Sequence, residues 1–175
     1  MTRFSFALLV ALTPLVLSAE DKKDAPFVSK EGKFSVALPD KPTERTIKTK
    51  VGDAEATLYV FSVDQKEPKR GYVITYIEYA KGTVGADKEK FLAGVVERSV
   101  ARLKGKVASN EPITLGKQKH PGRDVRVELA ETKQLYRARV FLVGDRVYQV
   151  TVLGAEEFVK GKEVDDYLAS FKVDE

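Results

Sequence analysis

The chain has no cysteine among its 175 residues. It therefore forms no disulfide, thiol nucleophile or thiolate metal site, and no lipid is attached to a cysteine at the end of a leader. We expect its stability to come from buried apolar area and a hydrogen-bonded sheet. Any attachment to a membrane would need an uncleaved leader or a partner.

Histidine is nearly absent as well, since His120 is the only one. It lies in the polar turn 117–122, and a metal site or a general base there would need further ligands or an oriented partner. No serine stands in a Gly-x-Ser-x-Gly context, and no glycine-rich phosphate loop is present. The adjacent acidic pairs at 156–157 and 165–166 diverge on a helix and lack calcium-loop spacing. The sequence thus predicts a non-enzymatic protein with no catalytic residue, metal or cofactor.

The first residues have the pattern of a secretory signal peptide. Arg3 precedes an apolar run, and the small residues Ser18 and Ala19 precede a charged stretch. The run is short for a membrane span, which needs about 20 apolar residues. We predict a leader over 1–19 and a secreted or periplasmic location. Cleavage after Ala19, cleavage after Ser18 and a retained leader that anchors the N-terminus all remain open.

The charges are numerous but mixed. The chain has 30 Lys and Arg against 26 Asp and Glu, for a net charge of +4. Because both signs are interspersed, this composition favours an ordinary solvated surface over a nucleic-acid-binding face. We therefore expect no nucleic-acid partner.

After the leader, the chain is typical of a single domain. Residues 20–26 are charged and end in Ala25-Pro26, which indicates a linker. The remainder, 27–175, has the length of one ordinary domain and contains no internal repeat. The mature chain is predicted to have no membrane span.

The apolar patterns predict one long helix among many strands. Asp87 is the expected N-cap of a helix that Gly105 ends, and a short helix closes the chain over 164–171. Gly52-Asp53 and Gly144-Asp145 are expected hairpin turns, the second in type II′ geometry. Strands are predicted over 34–38, 46–51, 54–63, 72–79, 110–116, 122–130, 134–143 and 146–153.

Four short segments resemble one known family. They are Phe34-Ser35-Val36 before Leu38-Pro39, then 121–124 (Pro-Gly-Arg-Asp), 146–150 (Arg-Val-Tyr-Gln-Val) and 167–171 (Tyr-Leu-Ala-Ser-Phe). Their order is similar to that in PsbP-like domains, the exported bacterial PsbP and MOG type. The resemblance implies an α+β fold in which an antiparallel β-sheet is packed between helices, an α/β/α sandwich over nearly all of the mature chain.

That resemblance carries little about function. Relatives with this fold include an accessory subunit of the oxygen-evolving complex, a Ran-binding nuclear protein and envelope lipoproteins, whose roles are mostly binding or assembly. This chain lacks the lipid-bearing cysteine of the lipoproteins, and its leader argues against a nuclear role. The shared residues are turn formers and core aromatics, so no functional residue is carried over.

A group of arginines and tyrosines is the candidate binding patch. Arginine suits phosphate or carboxylate recognition because its planar guanidinium donates several hydrogen bonds. Two other interpretations stand beside it: cross-strand ion pairs with Glu128, Glu131 and Asp145, and packing of the tyrosines in the core. The patch comprises Arg123, Arg126, Arg137, Arg139, Arg146, Tyr72 and Tyr76.

These observations predict an exported, non-enzymatic domain that binds an unidentified protein or assembles with one. The first alternative is a small-ligand carrier with a pocket between sheet and helix, lined by Phe91, Val95 and strand aromatics. The second is an enzyme of unrecognised type that depends on His120 and scattered carboxylates.

Overall fold

The computed structural model describes residues 25–51, 54–66 and 69–174. The predicted leader over 1–19, its cleavage site and most of the 20–26 linker lie outside the described residues. None of the helices in the described part is both long and apolar enough to cross a membrane.

Antiparallel β-sheet dominates the structure. Seven strands form one sheet in the order β3-β4-β5-β9-β8-β7-β6, and three short strands form a second in the order β1-β2-β10. The elements are β1 (Phe27–Ser29), β2 (Phe34–Val36), β3 (Thr43–Val51), β4 (Ala54–Gln65), β5 (Arg70–Glu78), α1 (Lys88–Leu103), β6 (Lys106–Leu115), β7 (His120–Leu129), β8 (Gln134–Val143), β9 (Arg146–Gly154), α2 (Glu156–Val159), α3 (Lys162–Ser170) and β10 (Lys172–Val173).

The large sheet has two different faces, because side chains alternate along each strand. On one face, Tyr76 of β5 is paired with Tyr148 of β9 and packs under the small sheet, α2 and α3. We call this the aromatic face. On the other, Ile77 and Val147 are paired and pack with α1. We call this the cleft face.

Phe34 of β2 is the centre of the aromatic face. It is fully buried, and its ring lies 5.4–6.3 Å from five other aromatic rings, in mostly tilted or edge-on geometry. Such offset and edge-on pairs are the favoured arrangements of aromatic rings. The five neighbours come from both sheets and the C-terminal segment: Phe27, Phe61, Tyr76, Tyr148 and Phe171.

Helix α1 begins as the sequence predicts and ends differently. Asp87 is the N-cap, and its carboxylate accepts a hydrogen bond from the Lys90 amide at 2.9 Å. At the other end, the left-handed residue is Lys104, with φ 52°, and not Gly105. Gly105 is needed for close packing instead, since a Cβ there would lie 2.7 Å from the Glu128 carbonyl oxygen and against Val127.

Much of the predicted organisation is confirmed. The four strands after α1 are present, although β6 begins at Lys106, and Gly144 has the positive φ (61°) that the first turn position of a type II′ hairpin requires. The coarse prediction of an antiparallel sheet with helices is also confirmed. The sandwich is refined: α1 packs mainly on β7 and β8, and the opposite face is covered by the small sheet as well as by α2 and α3.

Candidate functional site

A cleft lies between α1 and the half of the sheet that α1 leaves uncovered. Its floor comes from β3, β4, β5, β8 and β9, and α1 supplies one wall. Its volume is about 630 Å³, within the range of roughly 300–1,000 Å³ typical of small-molecule sites. This is the place where the carrier alternative puts a pocket, and Phe91 and Val95 do line it.

Apolar side chains supply more than half of the surface that lines the cleft. Phe91 of α1 faces Leu58 and Ile77 of the sheet across the opening. Phe91 also packs edge-on against Tyr79, with ring centroids 5.1 Å apart at 83°. An apolar ligand surface would therefore find hydrocarbon and aromatic contacts on both sides.

A short polar network lies on the floor. The Gln149 side-chain nitrogen donates to the Tyr136 hydroxyl at 2.5 Å and is 3.4 Å from the Thr151 hydroxyl. Burial raises the pKa of Tyr136, and its hydrogen bonds with Thr151 and Gln149 oppose that rise only in part. The floor therefore offers neutral hydrogen-bonding groups and no negative charge.

Positive charge lies along the α1 side of the opening. The side chains of Lys90, Arg98 and Arg102 line it, whereas no Asp or Glu does so among the residues that the structure describes. Lys50 also borders the cleft, but the alternation of β3 directs its side chain to the other face of the sheet. Burial raises the pKa of Tyr79, while a hydrogen bond from Arg98 and the charges of Arg98 and Arg102 act in the opposite direction. Both guanidinium groups thus lie close to the cleft wall.

The structure does not bring the seven residues of the predicted patch to one surface. Tyr72 and Tyr76 are 1 % and 3 % exposed and belong to the aromatic core. Arg123 points to the cleft face and pairs with Glu89 of α1 at 2.6 Å. Arg146 pairs with Glu78 and lies over the Tyr76 ring, at the far end of the sheet from Arg137.

Arg137 and Arg139 do lie on the same face, as predicted, but their charges are engaged. Both contact Asp124 at 3.1 Å, and Arg137 also bonds Asp165 of α3 at 2.6 Å. Arg137 is only 5 % exposed, and Arg126 lies opposite it on β7. Ion pairing is therefore present, but with acidic partners other than Glu128, Glu131 and Asp145.

These pairs keep their charges at neutral pH. Burial alone raises the pKa of Asp124, but the hydrogen bonds and charges of Arg137 and Arg139 outweigh it and hold that pKa below its usual value. For Arg137, burial lowers the pKa, and its bonds to Asp124 and Asp165 raise it overall. The cluster thus ties β7, β8 and α3 together.

His120 lies in a separate crevice of about 420 Å³ at the end of the sheet. Glu78, Asp145 and Arg146 line the same crevice. Within the described ranges, no group of three or more His, Cys, Asp or Glu residues is placed to hold a metal ion. The described residues thus provide no additional evidence that His120 is catalytic.

The cations of the cleft were not among the predicted site residues. Lys90, Arg98 and Arg102 flank the apolar stripe of α1, and their spacing of four or eight residues places them along one side of the helix. Gly94 interrupts this line and is a second signal, because glycine within a helix costs about 1 kcal/mol relative to alanine. Together these two patterns mark the side of α1 that faces the cleft.

No protein-family model matches the sequence, and no curated protein matches it either. A match was found among solved structures, the solution structure of cyanobacterial PsbP (CyanoP) from Synechocystis sp. PCC 6803. The alignment covers 85 % of this chain and 91 % of that one, with a TM-score of 0.51 and 14 % sequence identity. The chain has a PsbP-like fold. At this identity the PsbP likeness concerns the fold alone, and the PsbP-like resemblance noted in the sequence is confirmed at that level.

Proposed function

We propose that the protein is an exported, non-enzymatic binding domain that holds a small ligand in the cleft beneath α1. One observation carries the proposal: an opening of about 630 Å³ with apolar walls, a neutral hydrogen-bonding floor and a positively charged rim. Sites for small molecules typically combine an apolar lining with a few convergent polar groups.

The lining suits binding better than proton-transfer chemistry. Among the described residues around the cleft, none is a histidine or a carboxylate, and these are the groups that most often act as general acids and bases. Arginine and the amide of Gln149 hold a ligand through charge and hydrogen bonds. The PsbP-like fold is consistent with an accessory role of this kind.

Filling the cleft tests the proposal. Thr75 lies on the floor in β5, so a Thr75→Phe change places a ring inside the cleft without adding charge. The matched control is Thr57→Phe on the neighbouring strand β4, where the side chain points to the other face. Both variants and the wild type are expressed with the leader, purified under native conditions and analysed for released small molecules by mass spectrometry.

We expect the wild type and the Thr57→Phe control to retain the same molecule and the Thr75→Phe variant to lose it. Retention of that molecule by all three proteins would place its binding elsewhere and overturn the proposal. A wild type that releases no small molecule from its native compartment would contradict a carrier role.

Export is the other part of the proposal, and its support is the predicted signal peptide. N-terminal sequencing of the mature protein tests it directly. A chain that begins at Ala19 or Glu20 in a secreted or periplasmic fraction is the expected result. A chain that keeps its first residues and stays with the membrane would show that the leader is an anchor.

Binding to a protein partner is the second candidate, favoured by the uncovered half of the cleft face. Ile47 of β3 is 47 % exposed beside its register partner Leu58, so apolar surface continues from the cleft to the edge of the sheet. A photocrosslinker at Ile47 would capture a partner docked there. The control is Val107, which is 45 % exposed on the opposite edge strand. Equal crosslinking at both positions would argue against this surface.

A further inference from the structure

The rim of the cleft differs in charge from the rest of the molecule. Acidic and basic residues are nearly balanced over the whole chain, at 26 and 30. Around the cleft, however, the described lining residues include Lys90, Arg98 and Arg102 of α1 and no carboxylate. A local excess of one sign next to low-dielectric walls concentrates ions of the opposite sign.

The arginines of the rim also differ from five arginines elsewhere in the fold. Arg70, Arg123, Arg137, Arg139 and Arg146 each have a carboxylate within 3.4 Å. Within the part of the chain that the structure describes, Arg98 and Arg102 form no such ion pair. Instead they lie one helical turn apart beside the Tyr79 hydroxyl. Like charges at this spacing destabilise a helix slightly, so an anion between them would relieve a repulsion.

The acidic residues nearest to these cations in sequence and strand register do not line the cleft. Glu55 lies opposite Lys50 in the β3–β4 pair, and both side chains point to the other face of the sheet, as that of Thr57 does. Glu97 is exposed on α1 and does not line the cleft. The positive charge of the opening is therefore carried by Lys90, Arg98 and Arg102, all on α1.

Gly94 gives Arg98 its place at the rim. The Arg98 side chain folds back over the preceding turn of α1, and a Cβ added to Gly94 would lie 3.3 Å from Arg98 Nη1. That distance is tighter than an ordinary van der Waals contact. The absence of a side chain at position 94 thus lets the guanidinium lie over the helix, next to the apolar wall of Phe91.

We infer that the ligand of the cleft is an amphipathic organic anion. Its apolar body packs between Phe91 and the strand residues Leu58 and Ile77, and its anionic head group is held by Arg98 and Arg102. A carboxylate matches the planar donor fork of arginine, whose charge-assisted hydrogen bonds are about twice as strong as neutral ones. This inference rests on the proposed function and adds the chemistry of the ligand to it.

Three probes that share an eight-carbon alkyl chain and differ in head group test the inference. Octanoate, 1-octanol and octylammonium are each titrated into the isotope-labelled protein, and amide chemical shifts report both affinity and location. We expect octanoate to bind at least about ten times more tightly than octylammonium, with octanol between them, and the largest shifts at Gly94, Thr75 and their neighbours.

Variants then assign the head-group site. The double change Arg98→Gln/Arg102→Gln should weaken octanoate binding about tenfold and leave octanol binding unchanged. The matched control, Lys88→Gln/Lys104→Gln, removes the same charge from exposed positions at the two ends of α1, outside the cleft lining. It should affect octanoate less than twofold, which separates a local contact from a general effect of net charge.

The outcomes separate the inference from the proposed function. If all three probes bind equally at the cleft, or if both double variants weaken octanoate to the same degree, the anionic head group is wrong and the small-ligand cleft stands. If no probe shifts the amides of the cleft, the chemistry inferred here fails. The mass-spectrometric test of Thr75→Phe then decides independently whether any ligand is held there.

Discussion

The two faces of the seven-stranded sheet are built from the same strands but are covered to different extents. On the aromatic face, rings from both sheets and the C-terminal segment pack around Phe34, which has no exposed surface. On the cleft face, a single helix covers β7 and β8 and leaves the half formed by β3, β4 and β5 under an open cleft. The centre of the aromatic face is therefore fully buried, whereas the cleft face is covered only in part.

Under the proposed function, this difference places stability on one face of the sheet and ligand binding on the other. Aromatic rings bury large apolar areas in fixed geometry, so the aromatic face supplies most of the packing. The uncovered half of the cleft face gives up some of that burial and keeps Leu58, Phe91 and Gln149 available to a ligand. Substitutions on the two faces should therefore change different observables.

The largest effect is expected from Phe34→Ala. The change removes a fully buried ring from contact with five others, and such truncations destabilise proteins by about 3–5 kcal/mol. Leu58→Ala on the half-buried floor of the cleft should cost less than about 1.5 kcal/mol. Urea unfolding of both variants measures the two free energies. Equal losses would mean that the cleft face is packed as tightly as the aromatic face.

A smaller loss is expected from Arg137→Gln. The side chain is 6 % exposed and bonds both Asp124 and Asp165, so its removal leaves Asp124 without one of its two partners. Breaking a buried pair costs about 3–5 kcal/mol, and the exposure of Asp165 reduces this to about 2–3 kcal/mol. The exposed Arg98→Gln is the control and should change stability by less than about 0.5 kcal/mol.

The buried position of Arg137 also changes the expected result of a charge reversal in the predicted patch. On an exposed patch, reversal at Arg137 and Arg139 would weaken partner binding without unfolding the domain. In the structure, Arg137 of β8 bonds Asp124 of β7 and Asp165 of α3. Reversal there would set two carboxylates against the partly buried Asp124, so the domain is expected to lose stability together with any partner binding.

The same cluster predicts how stability depends on pH. Because the pKa of Asp124 is lowered in the fold, the unfolded chain binds that proton at higher pH than the native state does. The stabilisation is fully present above the pKa of an aspartate in the unfolded chain, about 3.9. It is lost as the pH falls through the lower pKa that Asp124 has in the folded state. Asp124→Asn should flatten the acid limb by up to about 1.4 kcal/mol per pH unit.

Unfolding free energies measured between pH 2 and 6 test this expectation. Asp64→Asn removes an exposed carboxylate of β4 and is the control for the general effect of lost charge. If Asp124→Asn and the wild type lose stability in parallel over this range, Asp124 is not the group that titrates.

The sequence predicted the fold where local rules decide. The Asp87 cap, the stripe of Leu92, Val95 and Val96 and the strands after α1 follow from periodicity and turn residues, and all are present. Local rules do not predict which charged side chains form ion pairs. Asp124 and Asp165 are 41 residues apart in the chain, and only the packing of α3 on the sheet brings both to Arg137.

The cleft was predictable only in part for the same reason. An amphipathic helix with Phe91 and Val95 on its stripe indicates that a sheet is covered, and this led to the carrier alternative. How much of the sheet the helix covers depends on the strand order, which places β3 and β4 far from β7. The side of α1 that carries Arg98 and Arg102 therefore had no assigned role.

The smallest effect, and the sharpest contrast between the faces, is expected from Gly94→Ala. Alanine in the middle of α1 should raise the free energy of unfolding by about 0.5–1 kcal/mol, because the Arg98 guanidinium that it meets is the mobile end of a long side chain. Moving that guanidinium off the helix should weaken octanoate binding about two- to threefold. Urea unfolding and the amide titration measure both quantities on one sample. A variant that is more stable and binds octanoate as well as the wild type would show that Gly94 has no role in placing Arg98, whereas a gain in stability with a loss of affinity would show that this face gives up stability for binding.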